Sequence, residues 1–355
     1  MPRNSIDNIQ ISTSISLLMH PKAYIEAILV SDGAKTCLGM SRELEISHDA
    51  LQRIIDREPK TADELRSFLL DMTKLYNDYS QKSFLVGDDT LVVKEFSKIL
   101  EKLGLVNDWN KHDKHKGYKI VVLLWTNGYI TIPIDFRIWI DGVTPSKVDL
   151  AGEMIVENYK KVQFDIVLMD GLYPSEKMLN LLDDLSISFI MRLPKNRQIS
   201  ISVGKVKIKI GDHWGFKLNR NTRTKRFEGY IHGKLRYITA HKRQNRNGEY
   251  KTRYLISNFK DTAVNIMTFY EFRWTIEKLF RTIKQKLGLQ DCLSRSINGQ
   301  KNHIWMVLAS YAIADAIKMQ ESYETVDEAI REIRKKYRND YKINDSSWRI
   351  FHAFA

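Results

Sequence analysis

Residues 118–140 read YKIVVLLWTNGYITIPIDFRIWI. The run from Tyr118 to Thr126 is apolar and rich in β-branched residues, which is strand-like. Asn127-Gly128 is the dipeptide favoured in a type I′ hairpin turn, so Tyr129 to Ile140 is expected to return as a second strand. Upstream, Ser83-Phe84-Leu85-Val86 is a short apolar run that leads into Gly87-Asp88-Asp89-Thr90. Downstream, Ser146 to Tyr159 has helical spacing, and Phe164 to Met169 (FDIVLM) reads as a buried strand ending at Asp170. Pro174 to Leu185 is a helix opened by proline in its first turn, and Ile187 to Arg192 is another strand. The order is β-β-β-α-β-α-β.

A meander followed by βαβ units is the layout of an α/β fold with an RNase H-like mixed sheet and flanking helices. The sequence divides around it. Residues 1–80 are helical, with helices expected over Pro21 to Val30, Ala34 to Leu44, and from an N-cap at Ser47 through Ile55. Glu45-Ile46-Ser47 forms the turn between the last two. This is either a helix-turn-helix DNA-binding domain with His48, Gln52 and Arg53 on its reading helix, or a plain three-helix bundle. Thr61-Ala62-Asp63-Glu64 is a capping box for a helix to about Tyr79. Residues 81–198 and 261–320 are expected to form the RNase H-like domain, 199–260 a basic β insertion, and 321–355 a C-terminal helical tail. In the insertion, Val203 to Ile210 alternates aliphatic residues with Lys205, Lys207 and Lys209, a half-exposed strand with lysines outward. Phe227 to Ala240 and Tyr250 to Phe259 are further strands. Ala263 to Leu287 reads as one long amphipathic helix, followed by a buried helix over Ile304 to Met319 and a charged one over Thr325 to Tyr337.

The net charge of +13 sits in one place. Between Ile199 and Lys260 there are nine Lys and seven Arg against one Asp and two Glu, which is the whole excess of the 355-residue chain. Such a concentration attracts a polyanion by releasing its counterions, and points to nucleic acid. The length suits two or three domains with a sizeable core. The longest apolar run, Ile304 to Ala314, is too short for a bilayer, and the N-terminus lacks a signal-peptide pattern. Cys37 and Cys292 stand far apart in sequence, so a reducing cytoplasm is expected rather than a disulfide framework.

The most informative helix is Tyr270-Glu271-Phe272-Arg273-Trp274-Thr275-Ile276-Glu277-Lys278-Leu279-Phe280-Arg281-Thr282-Ile283-Lys284. Tyr270, Arg273, Glu277, Arg281 and Lys284 recur at intervals of three and four and share a polar face, while Phe272, Ile276, Leu279 and Ile283 line the other. The polar face is either a solvated one with ion pairs or a carboxylate metal ligand among phosphate-binding groups. The pattern Tyr-x2-Arg-x3-Glu-x6-Lys resembles the hallmark of the IS-four group of DDE-type bacterial insertion-sequence transposases. Asp88-Asp89-Thr90 resembles the first motif of that family, and Asp170-Gly171-Leu172-Tyr173 its second, with Leu172 where many relatives carry Gly. The β insertion before the Glu helix is also a feature of the group. The resemblance spans about Ser83 to Leu289.

That resemblance implies a metal-dependent transposase that cleaves and joins DNA at the terminal inverted repeats of its element. In-line displacement at phosphorus uses two divalent cations, about 4 Å apart, held by carboxylates. The implied catalytic and metal-binding triad is Asp88, Asp170 and Glu277, with Mg²⁺ or Mn²⁺ as cofactor. Asp89 competes with Asp88, since neighbours on a strand point to opposite faces. Tyr270, Arg273, Arg281 and Lys284 are implied phosphate contacts, and Lys195 and Arg197 lie where they could hold the backbone. Trp274 either stacks on an unpaired base or belongs to the core. The implied partners are double-stranded DNA, at the element ends and the target, and a second copy of the chain. A bacterial cytoplasmic, nucleoid-associated location follows, with no membrane. His112 and His115 lie in a polar stretch without cysteines and read as a basic loop rather than a metal site. The alternatives are an inactive DNA-binding derivative and an RNase H-like structure-specific nuclease.

Overall fold

The computed structural model describes residues 21–56, 60–78, 80–94, 104–108, 113–202, 206–212, 218, 223–244 and 247–343. Its centre is a nine-stranded mixed sheet. Strands β1 (Phe84–Val93), β2 (Gly104–Asp108), β3 (Asp113–Thr126) and β4 (Thr131–Trp139) form the antiparallel part, with β1, β2 and β4 all pairing with β3. Helix α5 (Lys147–Asn158) then leads to β5 (Ile166–Met169), and α6 (Glu176–Asp184) to β6 (Ser188–Leu193). β5 runs parallel to β1 on one side and to β6 on the other. Burial on both faces explains why these strands read as continuous apolar runs rather than alternating ones. The mixed sheet with flanking helices is therefore as expected, and its antiparallel part gains β2, a five-residue partner of β3.

Several local expectations are corrected. Asp88 and Asp89 do not follow the first strand but lie inside it, opposite Val122 and Val121. The strand runs on because each carboxylate finds a cation, as described below. The hairpin after β3 is a four-residue loop between Thr126 and Thr131, not a type I′ turn. The Asn127 side chain accepts from the Tyr129 and Ile130 amides at 3.1 and 3.2 Å, and within the loop only Gly128 has positive φ, +90°. A Cβ at Gly128 would lie 2.6 Å from the Phe272 ring, so the close approach also demands glycine. His115 belongs to β3 rather than to a loop; His112 lies outside the described residues. The helix at Ser175 is capped by that side chain, which leaves Pro174 before it rather than in its first turn.

The basic segment also differs from expectation. Of the expected lysine strand over 203–210, residues 203–205, Lys205 among them, lie outside the described residues. The described part forms the short strand β8 (Ile208–Lys209), paired with β7 (Gln198–Ile199) and followed by a 3₁₀ turn from Ile210. Strands β9 (Thr224–Ile231), β10 (Lys234–Gln244) and β11 (Tyr250–Ser257), within the expected insertion, extend the main sheet. β11 pairs antiparallel with β6, from Tyr254 opposite Leu193 to Ser257 opposite Ile190. Arg236 on β10 locks the join: it is buried, donates to Asp183 at 2.9 Å and lies over the Phe189 ring.

The expected single helix over 263–287 is two, α7 (Ala263–Glu271) and α8 (Trp274–Gln285). Around Phe272 and Arg273 the chain tightens into i→i+3 bonds. This seats Phe272 in a 4.6 Å stack on Phe84 and turns Arg273 inward.

Four N-terminal helices, α1 (Lys22–Val30), α2 (Cys37–Leu44), α3 (His48–Asp56) and α4 (Lys60–Tyr76), precede the sheet, and α1, α3 and α4 pack on α9 (Ile297–Gln320). Thr61 lies within α4, which already begins at Lys60, so the expected capping box is not its start. Helix α10 (Val326–Ile343) packs on α9 and α1. Among the described residues no helix is long and apolar enough to cross a membrane.

Buried His303 joins α9 to α1. Its Nδ1 lies 2.9 Å from the Tyr24 hydroxyl and its Nε2 2.9 Å from the Gly288 carbonyl, so the network fixes the neutral ring with its proton on Nε2. Burial pushes its pKa down from 6.5 to about 4. The unfolded chain then binds the proton more tightly, so this contribution is complete above pH 6.5 and fades as pH falls towards 4. The expected loss is about 3 kcal/mol. Denaturant unfolding of the parent and of His303→Gln from pH 7 to 4 tests it. The variant should be less stable at pH 7 and show a flatter acid slope; parallel slopes would assign the acid sensitivity elsewhere.

Candidate active site

The two parallel strands at the sheet centre bring the first two candidate carboxylates together. Gly87 pairs with Met169, so Asp88 and Asp170 are the next residues on neighbouring strands. Asp170 leaves the sheet in a tight turn: its Oδ1 accepts from the Leu172 amide at 2.6 Å, and its carbonyl accepts from the Tyr173 amide. Helix α8 supplies the third carboxylate. Arg273, buried at the start of that helix, donates to Asp88 at 3.3 Å and to Glu277 one turn further on. One guanidinium thus links a sheet carboxylate to a helix carboxylate. Burial, and after it the neighbouring Asp170 charge, pushes the Asp88 carboxyl up to about 7, against the Asp89 amide and Arg273, which favour its ionised form.

Asp89 points the other way. Its carboxylate is paired with Lys147 of α5 at 2.8 Å and Lys119 of β3 at 3.7 Å, and all three side chains are nearly buried. Strand alternation thus gives the first aspartate to the face of Arg273 and the second to a lysine clamp on the opposite face. The sequence did not single out Lys119 or Lys147; the only signal was the adjacency of the two aspartates.

The expected polar face of the Glu helix is internal at its first two residues, Tyr270 and Arg273, and more exposed beyond them. Tyr270 is fully buried and donates to the Met169 carbonyl at 3.3 Å, while Arg273 is covered by Tyr270 and Trp274, with ring centroids at 5.7 and 5.2 Å. Phe272, Ile276, Leu279 and Ile283 pack inward as expected. Lys284 is half-buried, and Arg281 is exposed, 3.8 Å from Asp327. Trp274 is 39% exposed and therefore not a core residue. With His241, Arg253, Met267 and Glu271 it lines a cavity of about 500 Å³ between the α7–α8 break and the basic strands. Lys195, Lys207 and Lys209 are exposed, and Arg197 is tied to the Pro174 carbonyl at 2.8 Å.

Among the described residues, no three His, Cys, Asp or Glu side chains are gathered into a ready-made metal site. The donor chemistry nevertheless suits a hard divalent cation. Asp88 and Asp170 offer carboxylate oxygens whose charges repel one another, and Glu277 is held beside Asp88 through Arg273. Two buried polar atoms here, the Tyr173 hydroxyl and the Arg273 Nε, have no hydrogen-bond partner among the described residues.

A profile of the transposase DDE domain matches residues 79–313, which covers the sheet, both aspartates and the Glu helix. The chain belongs to the transposases of that family. No curated protein matches it. Similar solved structures include the Mos1 strand transfer complex (15% identity, TM-score 0.19, 48% of this chain and 57% of that one) and the mariner Mos1 paired end complex with Mg (15%, 0.17, 45% and 55%). The chain thus spans little more than half the length of those chains.

Proposed function

We propose that this protein is a DNA transposase of the IS-four group that cleaves and joins DNA at the terminal repeats of its own element, with Asp88, Asp170 and Glu277 as catalytic residues and metal ligands. The observation that carries this reading is that Asp88 and Asp170 each follow directly on the paired residues Gly87 and Met169 of adjacent parallel strands, with a third carboxylate that Arg273 ties to the first. Bound Mg²⁺ or Mn²⁺ would activate the attacking oxygen and neutralise the leaving one. The chain's own residues prepare the place. Asp88 and Asp170 present oxygen donors, Arg273 holds Glu277 towards them, and Tyr270 braces the turn at Met169 from beneath. Trp274 stands exposed at the rim, where an unpaired base would meet an aromatic face. Arg281, Lys284, Lys195, Arg197, Lys205, Lys207 and Lys209 are assigned to the DNA backbone, and a homodimer on DNA is the assembly this reading carries. The direct test is to incubate the protein with DNA spanning its coding region and natural flanks. Strand breaks at two inverted repeats that need Mg²⁺ are expected, and breaks placed without regard to such repeats would count for a general nuclease.

The basic strands give a separate expectation. Replacing Lys195, Lys207 and Lys209 with Gln should weaken binding to element ends and to unrelated DNA alike. If all three neutralise phosphates, the slope of log affinity against log salt should become shallower by up to about 2.7. A salt titration with both DNAs decides it, and an unchanged slope would place this edge away from DNA.

A further inference from the structure

The hydroxyl of Tyr173 has no function in the account above. The side chain is completely buried, directly after the Asp170 turn, and its hydroxyl has no hydrogen-bond partner among the described residues. Its backbone is fully engaged, with its amide on the Asp170 carbonyl and its own carbonyl on the Ser175 amide at 2.6 Å. The charges that act on the hydroxyl are those of Asp89, Asp88 and Asp170. A buried hydroxyl without a partner is costly, and a phenylalanine would fill the same space without that cost. A tyrosine in the turn of a candidate metal ligand, its buried hydroxyl among three aspartate charges, is accounted for if its partner arrives with the metal.

We propose that Tyr173 is a positioning residue whose hydroxyl takes its hydrogen bond from the hydrated divalent cation assembly held by Asp88 and Asp170, and so steadies the Asp170 turn when the cation binds. The inference rests on the metal-dependent reading of the site. A phenol both donates and accepts, so it can hold a cation-bound water or a carboxylate oxygen freed by the cation from like-charge repulsion. The role resembles that of the outer partners that orient metal ligands elsewhere.

The test compares the parent with Tyr173→Phe in thermal unfolding across a Mg²⁺ titration, with Mg²⁺-dependent cleavage of element-end DNA as a second measurement. Without metal the variant should be as stable as the parent or more so, since it loses a hydroxyl that has no partner. With Mg²⁺ the parent should gain more in melting temperature, and the Mg²⁺ midpoint of the variant should rise at least threefold in both measurements. Equal gains and equal midpoints would overturn the proposal. A variant several degrees less stable without metal would also overturn it, by showing that the hydroxyl has a protein partner. If the parent itself neither gains stability nor cleaves with Mg²⁺, the metal-dependent reading fails and this inference with it.

Discussion

Glu277→Gln is expected to abolish Mg²⁺-dependent cleavage at element ends, by about a hundredfold or more, while leaving DNA binding nearly intact. The amide keeps the volume and helical position of Glu277 but removes the charge that a divalent cation needs. It also weakens the charged bond by which Arg273 holds this side chain next to Asp88. Glu277 is 39% exposed, so the fold does not depend on its burial and the variant should unfold within a few degrees of the parent. Cleavage is measured on end-labelled DNA in Mg²⁺ and binding on the same DNA without metal. Parent-level cleavage by the variant would remove Glu277 from the catalytic set.

Asp88→Asn and Asp89→Asn should have opposite effects on stability as well as unequal effects on activity. Asp88 has a carboxyl raised from 3.8 to about 7 by burial and by Asp170. The sign follows from linkage: a raised carboxyl contributes stability below pH 3.8, and that contribution is lost as pH climbs through 7. Without metal at pH 8, Asp88→Asn should therefore be more stable than the parent, by about 2–4 kcal/mol, and the gain should vanish towards pH 4. Cleavage should be lost. Asp89→Asn instead removes the carboxylate that the nearly buried Lys119 and Lys147 both face. It should be less stable by about 3 kcal/mol or more and should retain some cleavage. Urea unfolding at pH 4 and 8, together with the cleavage assay, separates the two. A stabilised Asp89→Asn with lost cleavage would show that the neighbouring aspartate is the catalytic one.

The sheet was legible because its central strands are buried on both faces, which leaves long apolar runs between turn signals. The helix around Glu277 was legible from its periodicity, and its apolar stripe packs as the 3.6-residue period requires. The break at Phe272 and Arg273 was not, because no glycine or proline marks it. It arises from a ring stack on Phe84 and a buried guanidinium, both of which are contacts distant in sequence. The same limit applies to Asp88 and Asp89. Alternation says that they face apart, but only the helices on either side, bearing Arg273 and Lys147, say which faces what. Composition identified the basic segment without showing that its strands pair with β6, since a strand edge advertises nothing of its future neighbour.

That pairing makes the basic strands part of the same hydrogen-bonded ladder as Asp88. From β1 through β5, β6, β11 and β10 to β9 there are five strand-to-strand steps. At 4.8 Å each they span roughly 24 Å, about the length of seven base pairs of duplex DNA. Backbone spacing in a sheet scarcely varies, whereas a tethered module swings on its linker. Cations mounted on the outer strands are therefore held at a fixed distance from the carboxylates, and under the proposed function the sheet would act as a ruler between where a duplex is gripped and where its backbone is cut.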